Sequence, residues 1–278
     1  MRTPPAATLS SPVRASVAEA GHVDLNADLG ETPEPPEGTA DVLGSTVERL
    51  LGLVTTTHIA CGFHAGGPRV MQRTVAAAVA AGVVVGAHPS YPDPEGFGRR
   101  PMDRSAQLVA DDVARQLEAL GSAALVEGAQ LRSVKPHGAL YHRLATDEEC
   151  AVAVAEALRD HDPDLVLVVP AGAPTRATIA GCGVSVVAEG FCDRAYLADG
   201  SLAPRSQPGS VLVDPTEAAQ RAIAMALGRG VEAIDGSAVV LDCDTLCVHG
   251  DAPGAVSIAD AVRRALLAAG VSVAPYAA

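Results

Sequence analysis

The sequence predicts an α/β fold in which parallel strands, each followed by a helix, close into a barrel. Two observations carry that expectation. Short apolar or β-branched runs alternate with helical stretches along most of the chain, the pattern of a parallel sheet covered by helices. Polar and titratable side chains also gather at the C-terminal ends of these runs, which in a barrel converge on one mouth. Periodicity alone leaves a doubly wound sheet open, and the seven strand–helix units favour the barrel. A length of 278 residues suits one large barrel or two smaller domains. The Pro-rich stretches 31–38 and 198–210 read as loops within one domain, because neither has a linker's length or composition.

The elements follow in order. HVDLNADL (22–29) is a strand, 40–52 a helix and LVTTTHIA (53–60) the second strand. RVMQRTVAAAVAAG (69–82) is a helix stopped by Gly82, and VVVGAH (83–88) is a strand. A long helix over 104–127 leads to the strand LRSVKPH (131–137) and a helix near 146–160. The apolar DLVLVVP (164–170) is followed by a short helix at 173–180 and the strand GVSVVAEG (183–190). A helix over 215–229, the strand TLCVHG (245–250) and a helix over 255–269 complete the pattern. Residues 1–20, rich in Pro, Ala and Ser without a continuous apolar stretch, read as a disordered tail rather than a signal peptide. That leaves 21–278 as a single barrel domain.

Composition narrows the function. A net charge of −13 with no basic cluster argues against nucleic acid as a partner. No run of about 18 uncharged apolar residues offers a membrane span. Six cysteines without a CxxC pair read as reduced thiols in a cytoplasmic protein.

The strand ends supply the chemistry. Strand one ends in Asn26, Asp28 and Glu31, strand two in His58, Cys61 and His64, and strand three in His88. The fourth ends in Lys135 and His137, the sixth in Glu189, Asp193 and Arg194, and the last in His249 and Asp251. His58, Cys61 and His64 have a zinc-like spacing, but Gly62 breaks any helix that would align them, and zinc is better served by separate rigid elements. Cys61 reads as a small apolar filler. Lys135, followed by Pro136 at a strand end, is not ordinary solvated surface if the barrel closes. Glycines in ACGFHAGG, GFGRR and KPHGALY put permissive backbone beside polar side chains. Neither a phosphate-binding glycine motif nor a GxSxG elbow is present. Carboxylates, imidazoles and a lysine remain, a stock suited to polarising and hydrolysing a carbonyl compound.

Six segments occur in an order that carries a resemblance: DLNADLGE (24–31), HIACGFHAG (58–66), GAHPSYPDPEGFGRR (86–100), VKPHGALY (134–141), DRAYLADGSLAPRSQPG (193–209) and CVHGDAPGA (247–255). Together they resemble the LamB/YcsF family, which supplies the A component of bacterial 5-oxoprolinase. The resemblance implies an irregular, TIM-barrel-like (β/α) barrel of the glycoside hydrolase/deacetylase superfamily. It implies hydrolysis of 5-oxo-L-proline to L-glutamate with B and C subunits, coupled to ATP. Because this chain lacks a phosphate loop, ATP is expected to be handled with or by the partners, and a divalent metal is left open.

Chemistry within the matching motifs then suggests roles. Asp28 or Glu31 serves as general base, His64 or His137 carries protons, and Lys135 faces charge on the lactam oxygen or a transferred phosphate. Arg100 or Arg194 pairs with the substrate carboxylate, and Asn26, His88, Glu189 and His249 complete the binding site. Two other readings stand beside this one: a metal-dependent deacetylase or carbohydrate hydrolase, and a component that binds 5-oxoproline without catalysis. The chain also departs from the family pattern. TPEPPEG replaces an aromatic-containing loop after GE, His58 replaces an Asn, and Gly67 replaces an acid in HAGDP. These changes bear on the pocket lid, substrate preference and proton transfer.

Overall fold

The computed structural model describes residues 21–38, 43–250 and 254–277. The tail expected over 1–20, the start of the first helix and Asp251 lie outside the described residues. The first six strands are β1 (His22–Leu29), β2 (Thr56–Ala60), β3 (Val84–His88), β4 (Ser133–Val134), β5 (Val166–Pro170) and β6 (Ser185–Phe191). They are followed by β7 (Val231–Glu232), β8 (Ala238–Val239), β9 (Thr245–His249) and β10 (Ser272–Val273). Strands β1 to β6 pair in parallel in sequence order, β9 joins β6, and β1 pairs with β9 to close the ring. The result is a closed seven-stranded parallel barrel, as the alternation predicts.

The helices around it are α1 (Gly44–Leu51), α2 (Pro68–Ala81), α3 (Ala106–Val126), α4 (Gly138–Thr146), α5 (Glu148–His161), α6 (Arg176–Gly181), α7 (Pro215–Ala226) and α8 (Ala255–Ala268). Gly82 ends α2 in the left-handed conformation (φ +68°), as its place in the sequence predicts. Ser105 and Asp147 cap α3 and α5 through their side chains. None of the described helices is long and apolar enough to cross a membrane.

The period-two pattern of β1 decides what fills the barrel. Val23, Leu25, Ala27 and Leu29 join the apolar core, while the alternate residues Asp24, Asn26 and Asp28 are buried and polar. The register places Thr56 beside Asn26 and His58 beside Asp28, and Thr245 beside Asp24 and Cys247 beside Asn26. Barrel interiors are usually packed with branched apolar side chains; this one is filled largely by polar groups that must satisfy one another. At its floor, Thr55 and Thr56 donate to Asp24 Oδ1 at 2.7 and 2.6 Å, and Thr245 donates to Oδ2. Burial still outweighs these bonds and pushes the Asp24 carboxyl up to about 6.

The structure shortens the strand expected over 131–137 to Ser133–Val134. Pro136 has no N–H to continue the ladder. Lys135 still donates its backbone N–H to Ala87 at 2.9 Å before Gly138 turns the chain into α4. Helix α4 itself is not foreseen by the sequence reading, nor are the β7–β8 hairpin and β10. The three strands involved span two residues each, too few to show a period.

Candidate active site

Lys135 anchors the mouth of the barrel. Its side chain is only 2% exposed, and its ammonium lies 2.7 Å from Glu189 Oε1 and 3.0 Å from Asp28 Oδ1. It also donates to Asn26 Oδ1 at 3.3 Å and to Cys247 Sγ at 3.1 Å. Burial favours the neutral amine, but Asp28 and Glu189 outweigh it and hold Lys135 well above the usual lysine range. Burial likewise raises the carboxyls of Asp28 and Glu189, with Lys135 opposing the rise. Asn26 Nδ2 donates to Glu189 Oε1 at 3.0 Å and Tyr141 donates to Oε2 at 2.7 Å, so both carboxylate oxygens of Glu189 are engaged. Asn26 and Glu189 thus support Lys135 from beneath, while Asp28 and Lys135 reach the cavity.

Beside this cluster, Glu31 meets three imidazoles. Its Oε1 lies 3.1 Å from His64 Nε2, 3.1 Å from His137 Nδ1 and 3.7 Å from His88 Nε2. The His64 and His137 rings stack at 3.9 Å, and His88 meets both edge-on. Burial pushes His88 well below the usual imidazole range and lowers His64 as well. These rings are brought together from the ends of β2, β3 and β4, which is why the histidines fall where the sequence strands finish.

The cavity in front of these groups has a volume of about 410 Å³, within the range of small-molecule sites. Asp28, Glu31, His88, Lys135, His137 and His249 all line it. His249 is oriented by Asp193, which accepts its Nδ1–H at 2.9 Å and its backbone N–H at 3.0 Å.

The structure does not bring every proposed side chain to this point. Arg100 turns away, donating Nε–H to Asp93 at 2.9 Å with 62% of its side chain exposed. Arg194 lines the cavity, but its guanidinium is engaged by the carbonyls of Ser210 and Ala203. Arg99 and Arg205 are the further arginines at the wall; neither is among the residues expected above, although Arg99 is in the GFGRR motif. Tyr141, which stands in KPHGALY one helical turn beyond His137, is likewise a site residue not expected above.

His58, Cys61 and His64 do not form a common site. Cys61 donates its S–H to Ile59, and burial pushes its thiol up to about 12, so it supplies no thiolate. His58 faces inward, with Nε2 3.2 Å from both the Tyr276 and Ser133 hydroxyls.

Residues 23–278 match the LamB/YcsF family. The chain belongs to that family. Among its relatives is the 5-oxoprolinase A subunit of Thermus thermophilus, 48% identical over 251 residues, covering 90% of this chain and 98% of that protein. The 5-oxoprolinase A subunit of Tolumonas auensis is 47% identical over 251 residues, covering 90% and 98%. The crystal structure of a lactam utilization protein from Thermus thermophilus superposes with a TM-score of 0.83 at 47% identity, covering 92% of this chain and all of that one.

Gly67 and the TPEPPEG loop meet at the start of α2. Gly67 is the N-cap of α2 and has no side chain to cap it. Glu34, from the altered TPEPPEG loop, accepts instead from the backbone N–H groups of Arg69 and Val70 at 3.3 and 3.4 Å. A Cβ at position 67 would lie 2.2 Å from Glu34 Oε2 and 2.8 Å from its Cβ. The distant glutamate therefore occupies the space an acid at 67 would take. None of residues 32–38 lines the cavity, so the exchange repairs a helix end. Glu34→Ala should cost about 1 kcal/mol in urea unfolding. Gly67→Asp should recover stability in a Glu34→Gly background, which removes the Cβ as well as the carboxylate, and give no gain in the wild type. Equal effects of Gly67→Asp in both backgrounds would refute the exchange.

Proposed function

We propose that this chain opens the lactam ring of 5-oxo-L-proline to give L-glutamate, as the A component of an ATP-dependent 5-oxoprolinase working with B and C subunits in the cytoplasm. The relatives named as 5-oxoprolinase A subunits and the lactam utilization protein support the substrate class. The observation that carries the chemistry is a buried ammonium held between two carboxylates at the wall of a small cavity.

A five-membered lactam is a stable amide and a poor electrophile. Transfer of a phosphoryl group from ATP to the amide oxygen converts the ring carbon to an imidate-like centre with phosphate as leaving group. Water adds to that carbon, the ring C–N bond breaks with the nitrogen leaving as the α-amine, and a second water hydrolyses the resulting γ-glutamyl phosphate to glutamate and phosphate. In this reading Asp28 takes the proton of the attacking water, since burial raises its basicity. Lys135 Nζ faces the charge that collects on the oxygen. Arg205 and Arg99 at the wall offer guanidinium groups to the substrate carboxylate. ATP itself is assigned to the partner subunits, consistent with the missing phosphate loop.

The test is ATP-dependent glutamate release from 5-oxo-L-proline by this chain assembled with its cognate B and C subunits. Release is expected only with all three present, and folded Asp28→Asn should reduce it by roughly 10²–10⁴-fold. Wild-type turnover in an assembled complex carrying Asp28→Asn would instead make this a binding component.

A further inference from the structure

A count of protons around Glu31 sets acceptor against acceptor. His88 Nδ1 lies 2.6 Å from the Lys135 carbonyl oxygen, and His137 Nε2 lies 2.8 Å from the Phe97 carbonyl oxygen. A carbonyl can only accept, so each of these ring nitrogens donates. In neutral rings that leaves lone pairs on His88 Nε2 and His137 Nδ1, and these atoms face each other at 3.0 Å. The Glu31 carboxylate oxygen completes the triangle at 3.1 and 3.7 Å. His64 repeats the logic: its Nδ1 is 3.0 Å from Ser90 Oγ, whose own proton goes to the Tyr91 carbonyl at 2.8 Å. His64 Nε2 therefore also turns a lone pair to Glu31, at 3.1 Å. With the rings neutral, lone pairs from one carboxylate and three imidazoles meet with no donor between them among the described residues. The ammonium nearby is engaged by Asp28 and Glu189.

We propose that Glu31, His88 and His137 form a binding site for one divalent transition-metal ion of the zinc type, with its open coordination position facing the cavity. Donor atoms separated by 3.0, 3.1 and 3.7 Å can share one ion at bond lengths of about 2.0–2.2 Å. Two imidazoles and one carboxylate select a borderline ion over the all-oxygen preference of calcium or magnesium. The carbonyl bonds on the far ring nitrogens are the outer contacts that orient metal-binding histidines. All three donors line the 410 Å³ cavity, so water or a substrate oxygen can reach the ion and be polarised there. His64 Nε2 adds a further lone pair 3.1 Å from the Glu31 oxygen. The site goes beyond the lactam-opening reading, since it engages Glu31 and His137 as ligands and leaves Asp28 as the base.

The experiment uses the full chain, stripped with a chelator and then titrated with Zn²⁺ or Co²⁺ alone, without lactam, ATP or partners. One ion per chain is expected, with visible Co²⁺ d–d bands and imidazole ligands in X-ray absorption of the Zn²⁺ form. Glu31→Gln and His88→Ala, checked for folding by circular dichroism, should weaken Zn²⁺ binding by roughly 10²-fold or more, and Arg100→Ala should not weaken it. Failure to take up an ion, absorption showing oxygen ligands only, or unchanged affinity in folded His88→Ala would each overturn the site. If a variant does not fold, the absorption spectrum of the wild-type chain decides. Because the readout is the ion itself, its failure leaves the glutamate-release assay to judge the lactam reading separately.

Discussion

Replacing Lys135 with methionine is expected to abolish ring opening and to lower stability by about 3–5 kcal/mol. Methionine fills a similar volume, so the loss is electrostatic. Asp28 and Glu189 lie at 5% and 1% exposure, too deep for water to replace the ammonium between them. Removing one member of a buried charge cluster leaves the others uncompensated, which costs more than the cluster contributes net. The same ammonium faces the cavity, so turnover should fall by at least roughly 10²–10³-fold for loss of charge stabilisation alone. Urea unfolding and glutamate release from the assembled complex read the two effects separately. Adding Glu189→Gln to Lys135→Met removes one orphaned charge and should recover part of the stability without recovering turnover. Recovery of both together would mean that Lys135 acts only by supporting the barrel.

The barrel was legible because its strands announce themselves twice, by apolar runs and by the polar residues that end them. In β1 one octapeptide carries both signals: Val23, Leu25, Ala27 and Leu29 pack outward while Asp24, Asn26 and Asp28 fill the interior. The convergence of Asp28, Glu31, His88, Lys135 and His137 on one cavity follows from parallel strands ending at the same side. The sequence was silent wherever a side chain's partner, rather than its position, decides its role. Arg100 and Arg99 are adjacent in the chain, yet Asp93 captures the first while the second reaches the cavity wall. Arg194 stands at the wall with its guanidinium already engaged by two carbonyls. Glu34 caps a helix that begins more than thirty residues later, a pairing no local spacing reveals. The proton positions on His88 and His137 likewise depend on carbonyls from other segments.

Gly138→Ala is expected to lower stability by roughly 2–4 kcal/mol and turnover by roughly 10²-fold, although position 138 carries no functional group. Gly138 has φ +56°, where a side chain costs about 1–2 kcal/mol. Its Cβ would also stand 2.5 Å from the Gly98 carbonyl oxygen and 3.1 Å from its carbonyl carbon. That neighbour is backbone and cannot swing aside, so the 97–99 loop must move, adding roughly 1–3 kcal/mol. The loop's Phe97 carbonyl fixes the His137 proton at 2.8 Å, and its Gly98 carbonyl accepts from Ala139 N–H at 2.9 Å. A shift there turns the His137 ring away from Glu31, and misplacement by about 1 Å is enough to cost two orders of magnitude. Gly138 thus serves a backbone-to-backbone contact with Gly98 while also lining the cavity. Thermal or urea unfolding and kcat of the assembled complex measure the two losses, and circular dichroism confirms a folded barrel. Wild-type kcat in a Gly138→Ala complex of lowered stability would show that the orientation of His137 does not limit the reaction.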